Sequence, residues 1–206
     1  MGRTRIYASE AEKQAAYRQR HTLRNNDTVT LALPIATHDG DTDDSYTPKN
    51  VITAARSALG VIDLDPASSL FAQRTVQALQ WCGRDHPDED RRDGLAISWA
   101  GRVWCNPPFS GGNLLRFTEK LIAAYHAGDV TAACLITRAD VSTRYSQLLR
   151  VHATASCWPC KRINFKQPYR RSGVGEGSPN FTTIIWYLGR SPGRFVTAFA
   201  SIGDTR

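Results

Sequence analysis

From residue 46 onward the apolar positions alternate between a helical and a strand period. In NVITAARSALG, Val51, Ile52, Ala55 and Leu59 recur at helical spacing. Thr47 stands where an N-cap is expected, Pro48 suits a helix's first turn, and Gly60 follows as a terminator. Val61–Asp65 then reads as a short buried strand, and Ser68–Trp81 as a second helix. Cys82–Gly94 is a polar loop with five acidic residues. Arg102–Cys105 is another buried strand and runs straight into Asn106-Pro107-Pro108-Phe109. Leu114–His126 predicts an amphipathic helix with Leu114, Phe117, Leu121, Ile122 and Tyr125 near one face, and Gly128 behind it. Val130–Ile136 is a third strand, and Ser142–Val151 a short helix.

Strands alternating with helices predict an α/β fold, with a mostly parallel sheet covered on both faces. The end of the chain breaks this rhythm. Ala153–Trp158, Phe181–Leu188 and Phe195–Ile202 read as strands, with a turn over GRSPG at 189–193. The expectation is an antiparallel C-terminal strand pair closing one edge of the sheet. No repeat or second domain is visible, so residues 45–206 read as one domain.

Residues 1–44 read as a flexible arm. Arg3, Arg5, Lys13, Arg18, Arg20 and Arg24 make its start basic, and THDGDTDD at 37–44 makes its end polar and acidic. Between them VTLALPIA suggests a short strand interrupted by Pro34. A DNA-touching arm and a plain solvated tail both fit this pattern.

Composition changes the picture in three places. With 206 residues and 41% hydrophobic content, the chain can bury a full core. It has no apolar run near the roughly 20 residues a membrane helix needs, and no signal-like N-terminus. The expected setting is soluble and cytoplasmic, with no membrane partner. Five cysteines, an odd number, argue against a disulfide framework. Cys157-x-x-Cys160 lacks the second pair a structural zinc site needs, so the two read as buried thiols, with no metal expected. The net charge of +7 suits a polyanionic partner.

The sharpest chemical signal is Asn106-Pro107-Pro108-Phe109. Ligands of open α/β sheets bind beyond the carboxyl ends of strands, and the tetrapeptide falls there. Two acceptors aimed at the N–H groups of an aromatic amine localise its lone pair and stabilise the positive charge that grows as it attacks. The Asn106 side-chain oxygen and the Pro107 carbonyl are candidates for that pair. Pro107 and Pro108 stiffen the turn, and Phe109 offers a face for a base lifted out of a duplex. The plain alternative is a Pro-Pro turn with a capping asparagine.

Several motifs at ordered intervals resemble the phage-type DNA N6-adenine methyltransferase family. They are Tyr46-Thr47-Pro48, Asp63-Leu64-Asp65-Pro66-Ala67-Ser68, Asp93-Gly94-Leu95, Trp99, Gly101-Arg102-Val103-Trp104 leading into the tetrapeptide, and Arg162-Ile163-Asn164-Phe165. The resemblance runs from about Tyr46 to about Gly203. It implies a Rossmann-like methyltransferase fold, S-adenosylmethionine as methyl donor, and DNA as partner. It also implies cofactor contacts at Tyr46, Thr47 and Pro48, and at Asp63, Asp65, Pro66 and Ala67. Asp65 would meet the methionine or ribose part, and Asp93 the cofactor's adenine amine. Each has a structural alternative: Thr47 and Asp65 as helix caps, Asp93 in a solvated turn. One departure stands out. The loop Asp65-Pro66-Ala67-Ser68-Ser69 has no glycine, where many such enzymes carry a glycine-rich turn.

Trp158–Arg171, WPCKRINFKQPYRR, interleaves five basic residues with Trp158, Phe165 and Tyr169. Lys161, Arg162, Lys166, Arg170 and Arg171 are the candidate DNA contacts. The alternative is a strand with buried aromatics and solvated cations. Arg138 and Asp140, after the third strand, either meet DNA or pair with each other. Competing functions keep the same turn and change the target to RNA adenine or a protein glutamine amide. A DNA-binding module without catalysis is the remaining possibility.

Overall fold

The computed structural model describes residues 46–110, 112–167, 175–177 and 181–206, all within one compact unit, Asp41–Arg206. The expected N-terminal arm, its VTLALPIA segment, and Tyr169, Arg170 and Arg171 lie outside the described residues.

Helix α1 spans Lys49–Leu59 and turns Val51, Ile52, Ala55, Ala58 and Leu59 inward. Gly60, at φ 88°, ends it in a conformation that needs glycine. The N-cap position belongs to Pro48, with no side-chain cap, so Thr47 does not cap the helix; it is buried instead.

Strand β1 (Leu64–Asp65) is followed by helix α2 (Leu70–Val76). The helix expected to reach Trp81 stops early because Gln77 adopts φ 50°. Gln73 Oε1 accepts the Ala78 amide at 2.8 Å, and Leu79 and Gln80 then donate to Ile62 and Asp63. The chain becomes strand β2 (Gln80–Trp81), parallel to β1. Arg56 of α1 donates to the carbonyls of Thr75 and Val76, tying α2 to α1.

A 3₁₀ turn (Glu89–Arg91) precedes strand β3 (Gly101–Cys105). Helix α3 (Asn113–Ala127) carries Leu114, Phe117, Leu121 and Ile122 inward, as its pattern predicts. Strand β4 (Val130–Arg138) and helix α4 (Arg144–His152) follow. Strand β5 is Ala155–Pro159; β6 (Phe165–Gln167) and β7 (Gly175–Gly177) pair antiparallel as a separate two-stranded sheet. Strand β8 (Thr183–Gly189), helix α5 (Pro192–Phe199) and strand β9 (Gly203–Thr205) complete the chain.

The main sheet runs β2-β1-β3-β4-β8-β5-β9. Its first four strands are parallel, whereas β8 is antiparallel to both β4 and β5, and β9 to β5. Two expectations are corrected. Antiparallel β8 is not at an edge but inserted between β4 and β5, while short β9, antiparallel to β5, stands at that edge. The segment expected as a closing strand over Phe195–Ile202 is mostly helix α5. Phe195 and Phe199, four apart, lie on one helical face, both fully buried, with ring centroids 4.4 Å apart and Phe195 stacked on Tyr187 at 5.2 Å. Pro192 in the first turn favours that start.

Alternate residues of the central strands face opposite layers. Trp104, Cys134, Ile136, Ile185 and Tyr187 join α1 and α5 in one core. Val103, Cys105, Leu135, Ile184 and Trp186 join α3 and α4 in the other. The result is a three-layer, Rossmann-like α/β fold. After β1 the chain turns to one side for β2, then crosses to the other for β3. That reversal opens a crevice at the carboxyl ends of β1 and β3.

Candidate active site

Asp65 ends β1 at this crevice and is 2% exposed. Its carboxylate turns into the following loop, accepting from the Ala67 amide at 3.3 Å and from Gln73 Nε2 at 3.1 Å. Gln73 Nε2 also donates to Ser68 Oγ at 2.7 Å. Burial pushes the Asp65 carboxyl up to about 7, against the hydrogen bonds of Ser68, Ala67 and Gln73, which pull it down. The cap of α2 is Ser69, whose Oγ accepts from Ala72. Asp65 therefore braces the loop rather than capping the helix.

The glycines missing from this loop sit in the segment packed against it. A Cβ on Gly94 would stand 1.8 Å from the Pro66 carbonyl oxygen, and one on Gly83 1.9 Å from that of Ser68. Ser68 N donates to Cys82 O, and Cys82 N to Asp65 O, so β2 and the loop after it hold the other side. Gly94 also brings Asp93 to the Asp65–Ala67 loop. Asp93 is exposed and accepts the Leu95 amide at 2.8 Å through Oδ1, leaving Oδ2 without a hydrogen bond among the described residues. Trp99 locks the turn by donating to Gly94 O at 2.7 Å. Tyr46 reaches the same region, its ring 4.7 Å from that of Phe71 at the start of α2. Thr47 and Pro48 follow it into α1.

Asp63 is differently placed. Both its oxygens are taken by Arg102: Nε donates to Oδ2 at 2.8 Å, Nη2 to Oδ1 at 3.0 Å, and the Arg102 amide to Oδ2 at 2.7 Å. The Arg102 guanidinium holds the Asp63 carboxyl below its usual range. Gly101, at φ 75°, lets the backbone pass the Asp63 side chain. The pair stitches β1 to β3.

Asn106–Phe109 leaves the carboxyl end of β3. The register Leu64↔Val103 sets this end beside that of β1. Pro107 is buried; Asn106, Pro108 and Phe109 are half-buried. Burial, with the nearby Asp65, holds the Cys105 thiol well above its usual range, so it is a neutral packing group. Phe109 lies edge-on to Phe165 at 6.4 Å and to Phe181 at 5.4 Å. The Arg138 guanidinium covers this cluster, 4.5 Å from the Phe181 centroid and 5.9 Å from that of Phe109. Thus β3, β4, β6 and the segment before β8 converge on one aromatic surface. Arg138 does not pair with Asp140, whose Oδ1 accepts from Ser142 N and Oγ at 3.2 and 2.7 Å.

The basic tract leaves β5 at this same end of the sheet, because β5 runs in the direction of β4. Lys161 and Arg162 are exposed, while Ile163 and Phe165 are buried. Lys166 lies in β6 opposite Glu176. Cys157 is buried, its thiol pushed up to about 12 by burial, but Cys160 is exposed, correcting the expectation of two buried thiols. A cleft of about 540 Å³ lies between α4 and β5, lined by Trp158, Trp186, Arg150 and Arg206 among others; none of Asp65–Ser68, Asp93 or Asn106–Phe109 lines it.

The sequence reading overlooked Phe181 and the neighbours that close the loop, Gly83 and Cys82. The two glycines bounding the acidic loop were its only visible trace. No helix among the described residues is long and apolar enough to cross a membrane. No protein-family model and no curated protein sequence matches the chain.

Proposed function

We propose that this chain transfers a methyl group from S-adenosylmethionine to the N6 amine of adenine in DNA. The observation that carries the reading is the position of Asn106–Phe109, at the carboxyl end of β3 where the strand order reverses, beside the braced Asp65–Ala67 loop. The backbone around Pro66 is closely packed by Gly94, and Asp93 keeps an open acceptor beside it. A braced loop with the open Asp93 carboxylate oxygen beside it fits a cofactor that carries an adenine amine and a ribose.

The cofactor supplies an electrophilic methyl group. The chain's residues prepare the acceptor. The Asn106 side-chain oxygen and the Pro107 carbonyl take the two amine protons in hydrogen bonds, which draws the nitrogen lone pair out of the ring. The rigid Pro107-Pro108 turn keeps those acceptors oriented before the base arrives. Phe109 stacks on the base, and Phe165 and Phe181 hold its ring from the edges. Lys161 and Arg162 supply phosphate contacts on the same end of the sheet.

The test is single-turnover methylation of unmethylated DNA with labelled S-adenosylmethionine. Asn106→Ala is expected to lower the rate on the order of 100- to 1000-fold while cofactor affinity changes little. Near-normal methylation by this variant would reduce the tetrapeptide to a structural turn. Transfer to RNA or to a protein glutamine in place of DNA would redirect the reading to those substrates.

A further inference from the structure

We propose that Arg138 binds a backbone phosphate next to the target nucleotide and so sets the position of the extruded base over Phe109. The inference rests on reading Asn106–Phe109 as the target-amine site. Arg138 is the last residue of β4, and its register partner Thr183 opens β8. Its backbone is fixed, since its carbonyl accepts from Thr137 Oγ1 at 3.1 Å and from Tyr145 Oη at 3.4 Å. Its side chain is exposed and lies over Phe181 and Phe109.

Among the described residues this guanidinium has no carboxylate partner, and its aromatic contacts use only its flat face. The N–H donors around its rim are therefore available. The nearest acid in sequence, Asp140, is committed to Ser142. A planar fork of donors, held by stacking and lacking an anion, matches phosphate oxygens bidentately. It stands 5.9 Å from the centre of the ring proposed to hold the base. The two neighbours that hold Phe109 edge-on, Phe165 and Phe181, carry no charge, and Arg138 is the cation seen over them among the described residues.

The experiment uses the full chain in two stages. Methylation-sensitive sequencing of mixed genomic DNA treated with the wild type gives the modified sequence. Duplex oligonucleotides with that sequence, and with single neutral methylphosphonates stepped along the strand near the target adenine, then serve as substrates. Arg138→Gln is expected to raise KM for DNA roughly tenfold, the value of one charge-assisted hydrogen bond to phosphate. The single-turnover rate at saturating DNA should fall as well, because the base is then less firmly placed over Phe109. The slope of log affinity against log salt should fall by about 0.9. At one methylphosphonate position the wild type should lose affinity while Arg138→Gln loses no more. Arg138→Lys should restore the salt slope but only part of the affinity. If Arg138→Gln stays sensitive to every methylphosphonate and keeps the wild-type salt slope, Arg138 only braces the aromatic cluster and the proposal falls. If the wild type modifies no adenine in any DNA, the reading of the site falls and takes this one with it.

Discussion

Replacing Asp65 by Asn should make the protein's stability less dependent on pH. The carboxyl is 2% exposed and is raised from 3.8 to about 7 in the folded chain. The native state therefore holds a proton on Asp65 between about pH 4 and pH 7, where the unfolded chain has released it. Because the folded state binds more protons in that window, wild-type stability falls as pH rises through it, and the full penalty is present above about pH 7. The rise is about three pH units, and at about 1.36 kcal/mol per unit the penalty is on the order of 4 kcal/mol. Asn has the same shape and never ionises, so it escapes this penalty, although its amide must sit against the donors at Ala67 and Gln73. That mismatch is independent of pH, whereas the ionisation penalty is not. The assay is urea unfolding of both proteins from pH 4.5 to 8.5. Asp65→Asn minus wild type should climb with pH, by a few kcal/mol, and level off above about pH 7. Other titrating groups cancel in the difference. A flat difference across the range would show that Asp65 does not change protonation on folding and that the account of its burial is wrong.

The Asp63–Arg102 pair should behave in the opposite sense. Asp63→Ala should cost about 1 kcal/mol at neutral pH, a value discounted for the pair's partial exposure. Because the folded carboxyl titrates below 3.8, that deficit should persist above pH 4 and shrink in melts taken at lower pH. Gly94→Ala drives a methyl group against the Pro66 carbonyl and should destabilise by about 1–3 kcal/mol. Isothermal titration should also show weaker S-adenosylmethionine binding, and unchanged affinity would separate Gly94 from the proposed cofactor site. Replacing Lys161, Lys166, Arg170 and Arg171 together should flatten the salt dependence of DNA binding by about 0.9 for each phosphate no longer neutralised, read by anisotropy. An unchanged slope would move the DNA surface elsewhere. Phe109→Ala should weaken DNA capture as well as slow turnover, because stacking is worth about 1–3 kcal/mol per base.

The elements legible in the sequence were those whose burial follows a single period. Helices α1 and α3 announce their inward faces at 3.6-residue spacing, and β3 and β4 are apolar runs of the right length. Strand β2 was hidden because it has only two residues and follows a helix pattern; the left-handed Gln77 separates them, and nothing in QALQW signals that turn. Phe195–Phe199 misled because Phe-Val-Thr-Ala-Phe carries strand-forming residues at helical spacing, and contact with Tyr187 decides between them. The place of the tetrapeptide at the carboxyl end of β3 was readable because it follows an apolar strand directly. The packing of Gly83 and Gly94 onto the Asp65 loop was not, since a close approach between distant segments leaves no local pattern. The cap displaced from Thr47 to Pro48 and the exposure of Cys160 are likewise set by tertiary surroundings.

The insertion of β8 between β4 and β5 has a consequence for how such a chain diversifies. Cys157 pairs with Ile185, and continuing that register sets Pro159 opposite Thr183. The chain thus departs from β5 and rejoins the sheet at β8 through neighbouring points, both on the end where Asn106 lies. The described ends of the stretch between are tied in: Cys160 N donates to Ile202 O, Ala139 N to Thr182 O, and Ile163 and Phe165 are buried in the core shared with α1 and α5. Changes of length between those anchors leave the β4–β8 and β5–β8 ladders in register, so under the proposed function this is the stretch in which a chain of this fold would vary the target it reads.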